Sequence, residues 1–210
     1  MYLVRFYPGV PFASLFFEYP RNLGGWYLLE IRCMGTTAGD KALEFDYPVA
    51  FGNAFSKTLE TSKHKFRYLH LSGAVTERDQ GKPLWFKQNM RRIKVSLSNS
   101  VPIPSQHPSV SYALQGAAES EMLGFTKKEG NEGLWKTVIV KAGFVVSKEG
   151  RSPRDMLGWV LGSNKSIGVD ELAAAMIDVA INGSEEDTLT DCRAVAARGR
   201  ESLKITKEIK

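Results

Sequence analysis

Few residues in this chain can cross-link it or hold a metal. Cysteine occurs twice, at Cys33 and Cys192, far apart and in no C-x-x-C pair; histidine occurs three times, at His64, His70 and His107. No spacing among them fits a zinc site, so a metal centre has no support and both thiols read as reduced. Long apolar runs are also missing. Val10 to Phe17 is broken by Pro11 and falls well short of the ~18 residues of a membrane span. No small-residue cleavage site follows it, only Glu18, Pro20 and Arg21, so it makes a poor secretory signal. These absences point to a cytoplasmic protein with no membrane partner. Charge is not concentrated either. The formal net charge of +5 is spread over Arg91, Arg92, Lys127, Lys128, Arg198, Arg200 and the C-terminal LKITKEIK. A nucleic-acid footprint would gather such charges on one face with interleaved aromatics, so no nucleic-acid partner is expected. A glycine-rich phosphate loop of the form G-x-x-G-x-x-G is missing throughout. Gly162-Ser163-Asn164-Lys165-Ser166 lacks the leading glycine of a P-loop and reads as a surface turn.

What remains is an ordinary globular composition, with 43% hydrophobic and 24% charged residues in 210. That suits one domain with appendages. The chain is organised around Phe66 to Lys94. Phe66, Tyr68 and His70 alternate with Arg67, Leu69 and Leu71, the period of a strand that ends at Ser72-Gly73. A polar connection follows, in which Glu77-Arg78-Asp79 reads as solvated loop. Met90 and Lys94 then lie four residues apart, on one face of a predicted helix over 87–94. A serine at a strand's carboxyl end, followed by a helix presenting a lysine, fits a ligand site in an open α/β sheet.

Other elements read less evenly. Residues 1–25 hold neither helical nor strand period for long and are expected to be poorly ordered. Trp26 to Arg32 reads as a strand entering the turn Cys33-Met34-Gly35-Thr36-Thr37-Ala38-Gly39. Asp46 is placed to cap a helix that tolerates Pro48 in its first turn. Val95 to Gln115 is rich in serine and proline, carries no charged residue and reads as loop. Helix-like sequence resumes over Gly116 to Lys128. Trp135 to Val146 is the clearest buried strand. Asp170-Glu171 open a helix with Leu172, Ala175, Met176 and Val179 on one face and Gly183 as its stop. Thr190 is placed to cap a last helix ending near Leu203. Strands alternating with helices predict an α/β fold, with a partial Rossmann-type parallel sheet flanked by helices.

Several of these features, in this order, resemble the NAD(P)H-binding branch of the atypical short-chain dehydrogenase/reductase family. They are the turn Cys33-Met34-Gly35-Thr36-Thr37, the strand end Leu71-Ser72-Gly73, the Lys94 helix, the strand Val138-Ile139-Val140-Lys141-Ala142-Gly143 and the helix Val169-Asp170-Glu171-Leu172-Ala173. The resemblance covers roughly residues 28–205. It implies a Rossmann-type domain over 26–205 that binds NADP or NAD, with a non-family N-terminus over 1–25 and a basic tail over 206–210. Under it Gly35, Thr36 and Thr37 border the cofactor, Ser72 is the catalytic serine and Lys94 holds the nicotinamide ribose. Lys141-Ala142-Gly143 stands in the place of the family's Arg-Pro-Gly, which puts Ala142 and Gly143 beside the cofactor.

Three departures bear on function. The family's phosphate loop belongs to a strand-helix unit ahead of this chain's first match, which makes the chain N-terminally truncated relative to the family. The catalytic tyrosine position is Met90, and a thioether neither donates nor accepts the proton that tyrosine handles. The family's helix runs directly from Lys to Gly-x-x-Glu, whereas here the insertion 95–115 separates Lys94 from Gly116-Ala117-Ala118-Glu119. Excising that segment leaves the continuous helix MRRIKGAAESEML, and its first and last codons, for valine and glutamine, can carry the two ends of an intron. The implied functions are an NAD(P)-binding protein with an impaired oxidoreductase site, a non-catalytic regulatory protein on the same scaffold, or a truncated product without activity. Bland readings stay beside the sharp ones: Ser72 as a plain strand end, Lys94 as a solvated lysine, Thr36 and Thr37 as turn hydroxyls, His70 as a satisfied strand residue.

Overall fold

The computed structural model describes residues 3–5, 15–21, 25–32, 40–62, 64–74, 76, 78–79, 108–147 and 166–208. Three predicted strands form as expected, because each alternates or is apolar throughout: β3 (Gly25–Arg32), β4 (Lys65–Gly73) and β5 (Trp135–Ala142). They pair in parallel, and β8 (Thr188–Leu189) extends them in the same sense beyond β5. The result is a partial Rossmann-like α/β arrangement of four parallel strands flanked by helices.

The sheet does not start where the sequence reading put its boundary. Residues 1–25, expected to be poorly ordered, contribute β1 (Leu3–Arg5) and β2 (Leu15–Arg21), an antiparallel pair. β2 also pairs antiparallel with β3 from Gly25 to Ile31, so sheet order is β1-β2-β3-β4-β5-β8. Pro20 faces Trp26 in that register, beyond the stretch where β1 pairs, and a strand edge tolerates a residue without a donor. The chain therefore crosses the sheet in sequence order, with no reversal among the described strands.

Among the described residues, two helices cover each face. A π-turn (Ala42–Asp46) leads into α1 (Tyr47–Ser62), and α2 spans Pro108–Thr126. Both pack on the face carrying Phe66, Tyr68 and Trp135, where Leu59, Met122 and Phe125 close the core. Phe66 meets Trp135 edge-on at 4.6 Å, and Phe125 stacks on Trp135 at 5.2 Å. The indole Nε1 donates to Thr137 Oγ1 at 2.7 Å, which in turn donates to the Met122 carbonyl at 2.6 Å, so the buried polar atoms are satisfied. Gly52 lets α1 approach this cluster: a Cβ there would sit 2.4 Å from Phe125. On the other face α3 (Val169–Asn182) and α4 (Cys192–Glu208) pack Leu172, Ala175, Met176, Val179, Val195 and Ala196 against Leu69, Val138 and Val140.

Four boundaries differ from expectation, each for a local reason. The segment 95–115 is not loop throughout, since α2 already begins at Pro108. Proline lacks an amide that the first turn would leave unbonded anyway. Asp40, not Asp46, caps the first helical turn, accepting from the Ala42 and Leu43 amides at 2.9 and 3.3 Å, while Asp46 pairs with Lys41. Asp191, not Thr190, caps α4 by accepting from the Arg193 and Ala194 amides, and α4 runs on to Glu208 through part of the expected tail. The strand expected over 135–146 breaks at Gly143. Its far end becomes β6 (Phe144–Val146), paired in a separate small sheet with β7 (Ser166–Gly168). The helix over 87–94 lies outside the described residues.

The expected stop of α3 at Gly183 holds, with φ of 86°. Arg67 reaches across from β4 and its Nη1 donates to the Val179, Ala180 and Ile181 carbonyls at the helix end, where Val179 also accepts from the Gly183 amide at 2.9 Å.

Candidate functional site

In-register pairing sets the site. Parallel partners project to the same side, so Arg32 of β3 stands beside His70 of β4, and Ser72 of β4 beside Lys141 of β5. All four lie at the carboxyl ends of their strands, on the face covered by α1 and α2. The aromatic layer of Phe66, Tyr68 and Trp135 lies below them on the same face.

Glu119 of α2 descends onto this edge and is fully buried. Ser72 Oγ donates to its Oε1 at 2.5 Å, Arg78 Nε donates to Oε2 at 2.6 Å, and Lys141 Nζ lies 3.3 Å from Oε2. The cluster extends outward. Lys141 donates to the Thr76 carbonyl at 2.7 Å, Thr76 Oγ1 donates to Gln115 at 3.2 Å, and Arg78 Nη2 donates to Thr188 Oγ1 at 2.9 Å. A buried carboxylate survives only with such partners, and here it ties β4, β5, β8 and α2 together. Two cations share this one carboxylate. Arg32 adds a third, and among the described residues its acceptor is the Leu43 carbonyl. Among the described residues that bond here, Arg32, Arg78 and Lys141 thus outnumber Glu119.

His70 feels that charge. It is buried, and its pKa is lowered to about 3, first by burial and then by the Arg32 and Arg78 guanidinium groups. The imidazole is neutral at physiological pH, with Nδ1 3.4 Å from the Tyr68 hydroxyl.

The structure gathers some expected site residues and separates others. Ser72 sits at the strand end as anticipated, but its hydroxyl is committed to Glu119. Ala142 points the other way, into the core under α3 and α4; its carbonyl accepts from the Ala74 amide at 2.8 Å. Gly143 links β5 to β6 without a role visible here. Gly35, Thr36, Thr37, Met90 and Lys94 lie outside the described residues. Arg78 lies in a bend, as expected of a loop, but it is half-buried and not simply solvated, since it bridges Glu119 and Thr188. Glu119 and Arg32 were not singled out as site residues. The available signal for Glu119 was an acid in line with Gln115, Ala118 and Met122 on the apolar stripe of a helix.

An anionic group at this edge would meet Arg32, Arg78 and Lys141 beside Glu119. Ser72 would have to release Glu119 before donating to a substrate carbonyl. A second cleft, of about 610 Å³ between the end of α3 and the start of α4, is lined by Glu185, Glu186 and Asp191, and its Arg198 is paired with Asp178. It is the wrong sign for a phosphate. No helix among the described residues is long and apolar enough to cross a membrane, and no metal-ligating cluster occurs among them. No protein-family model, curated protein or solved structure matches this chain.

Proposed function

We propose that the chain binds a nicotinamide dinucleotide, NADP or NAD, along the carboxyl edge of its parallel sheet and acts as a binding or regulatory protein, not as an efficient reductase. One observation carries the reading. Ser72 and Lys141 stand side by side at adjacent strand ends, in an edge of surplus positive charge, with the serine hydroxyl locked onto buried Glu119. Open α/β sheets bind ligands outside the carboxyl ends of their strands, which supports the location. The engaged hydroxyl and the methionine at position 90 support binding without turnover, because neither supplies a free proton to a carbonyl.

The test is the melting temperature with increasing NADPH or NADH. A ligand that binds only the native state raises it in a concentration-dependent way. Lys94→Ala is expected to abolish the rise, and a panel of carbonyl compounds to give no oxidation of the reduced cofactor. No rise at millimolar cofactor refutes the binding reading. Steady cofactor oxidation refutes the regulatory one.

A further inference from the structure

Arg32 ends β3, where the parallel sheet begins, and it is only 7% exposed. Buried arginines are normally paired, because an isolated cation is costly to desolvate. Among the described residues Arg32 has no ion-pair partner. Its Nη2 donates to the Leu43 carbonyl in the π-turn, its Nε is buried with no acceptor, and no carboxylate among the described residues lies within ion-pair distance. The acids nearby are spoken for. Asp40 caps the helical turn and pairs with its amides, Asp46 holds Lys41, and Glu119 holds Arg78 and Lys141. Glu44, buried in the same turn, has interactions of its own. Arg78 contributes to the same positive potential, which reaches His70 from both guanidinium groups.

We infer that Arg32 is the anchor of an oxyanion site at the carboxyl end of β3, and that the anion it takes is a phosphate. Phosphate suits the buried, unpaired Nε because a guanidinium offers a fork of N–H donors that match its oxygens, and charge-assisted bonds of this type are the strong ones. The phosphate belongs either to a bound nucleotide or to the free ion; the nucleotide source rests on the dinucleotide reading, whereas the site itself does not. An unpaired buried cation weakens the empty protein and strengthens the loaded one, so Arg32 acts as a ligand-dependent stabiliser.

The experiment measures melting temperature with sodium pyrophosphate or NADPH, against sodium chloride at matched ionic strength, for the wild type, Arg32→Met and Arg32→Lys. Pyrophosphate at about ten times its dissociation constant is expected to raise the wild-type midpoint by about 3–6 °C. Arg32→Met is expected to melt at or above the wild-type temperature without anion and to lose the pyrophosphate shift; Arg32→Lys is expected to keep part of it. Failure of pyrophosphate to shift the wild type overturns the site, as does an equal shift in Arg32→Met. Loss of folding in Arg32→Met also overturns it, by showing that the guanidinium is a structural cation. A pyrophosphate shift without an NADPH shift leaves the site standing with free phosphate as its source and refutes the dinucleotide reading. An NADPH shift unaffected by Arg32→Met, with no pyrophosphate shift, does the reverse.

Discussion

His70 should make this protein acid-sensitive by an amount that can be worked out. Its imidazole is held neutral in the fold, with a pKa of about 3 against 6.5 in a free chain. The folded value is the lower one, so below about pH 6.5 the unfolded chain takes up a proton that the native protein refuses. Stability is therefore intact above that pH and is lost as pH falls toward 3, at about 1.4 kcal/mol per pH unit. Between about pH 7.5 and pH 5 the loss from this one residue is about 2 kcal/mol. Carboxylates that titrate over the same range add to the total, but they are common to a His70→Gln variant. Urea denaturation of both proteins at the two pH values isolates the imidazole as the difference between the differences. The expected result is a wild type that loses about 2 kcal/mol more than the variant. Equal losses would refute the argument, and so would an imidazole that NMR finds protonated in the folded protein at about pH 5.

Two further outcomes follow from the packing. Glu119→Gln leaves Arg78 and Lys141 facing a neutral amide and is expected to cost about 3–5 kcal/mol, whereas Ser72→Ala removes one hydrogen bond to the same carboxylate and is expected to cost about 1–2 kcal/mol. Chemical denaturation ranks the pair; a larger loss for Ser72→Ala would contradict Glu119 as the hub. Gly199→Ala would place a Cβ 1.9 Å from the Glu171 carbonyl oxygen, so α4 must back away from α3. That overpacking is expected to cost about 1–3 kcal/mol and to speed amide exchange in α4 selectively. An unchanged midpoint would mean that the two helices do not meet at Gly199.

The legible parts of the chain are those where one period dominates. β4 alternates cleanly, β5 is β-branched through its centre, and α3 repeats its apolar residues every three or four positions, so each stands where expected. β1 and β2 were illegible because an antiparallel edge hairpin carrying Pro20 shows no regular period. The start of α2 hid behind serine and proline, although proline is at home in a first turn. Both missed caps have the same cause. Asp40 and Asp191 sit just outside the apolar pattern, and the nearby Asp46 and Thr190 carry equally good capping side chains. The site was half legible. Ser72 was found from its place at a strand end, but Glu119 enters the sequence only as the acid of a Gly-x-x-Glu helix pattern until α2 is seen to press it onto the sheet. Arg32 reads as a strand-end charge until its missing counter-ion is noticed.

The antiparallel lie of β2 along β3 has one more consequence. In a complete doubly wound sheet, the edge that β2 occupies would accept another parallel strand with its own helix. Here the backbone donors and acceptors along that edge are already paired from residue 15 to residue 21. A complementing fragment supplied in trans would have to peel this hairpin away before it could dock. The pair thus covers the edge of β3 and makes β1 and the outer side of β2 the margin of the sheet. Deleting it would expose the β3 edge, and the protein's tendency to associate with other copies through β3 should rise accordingly.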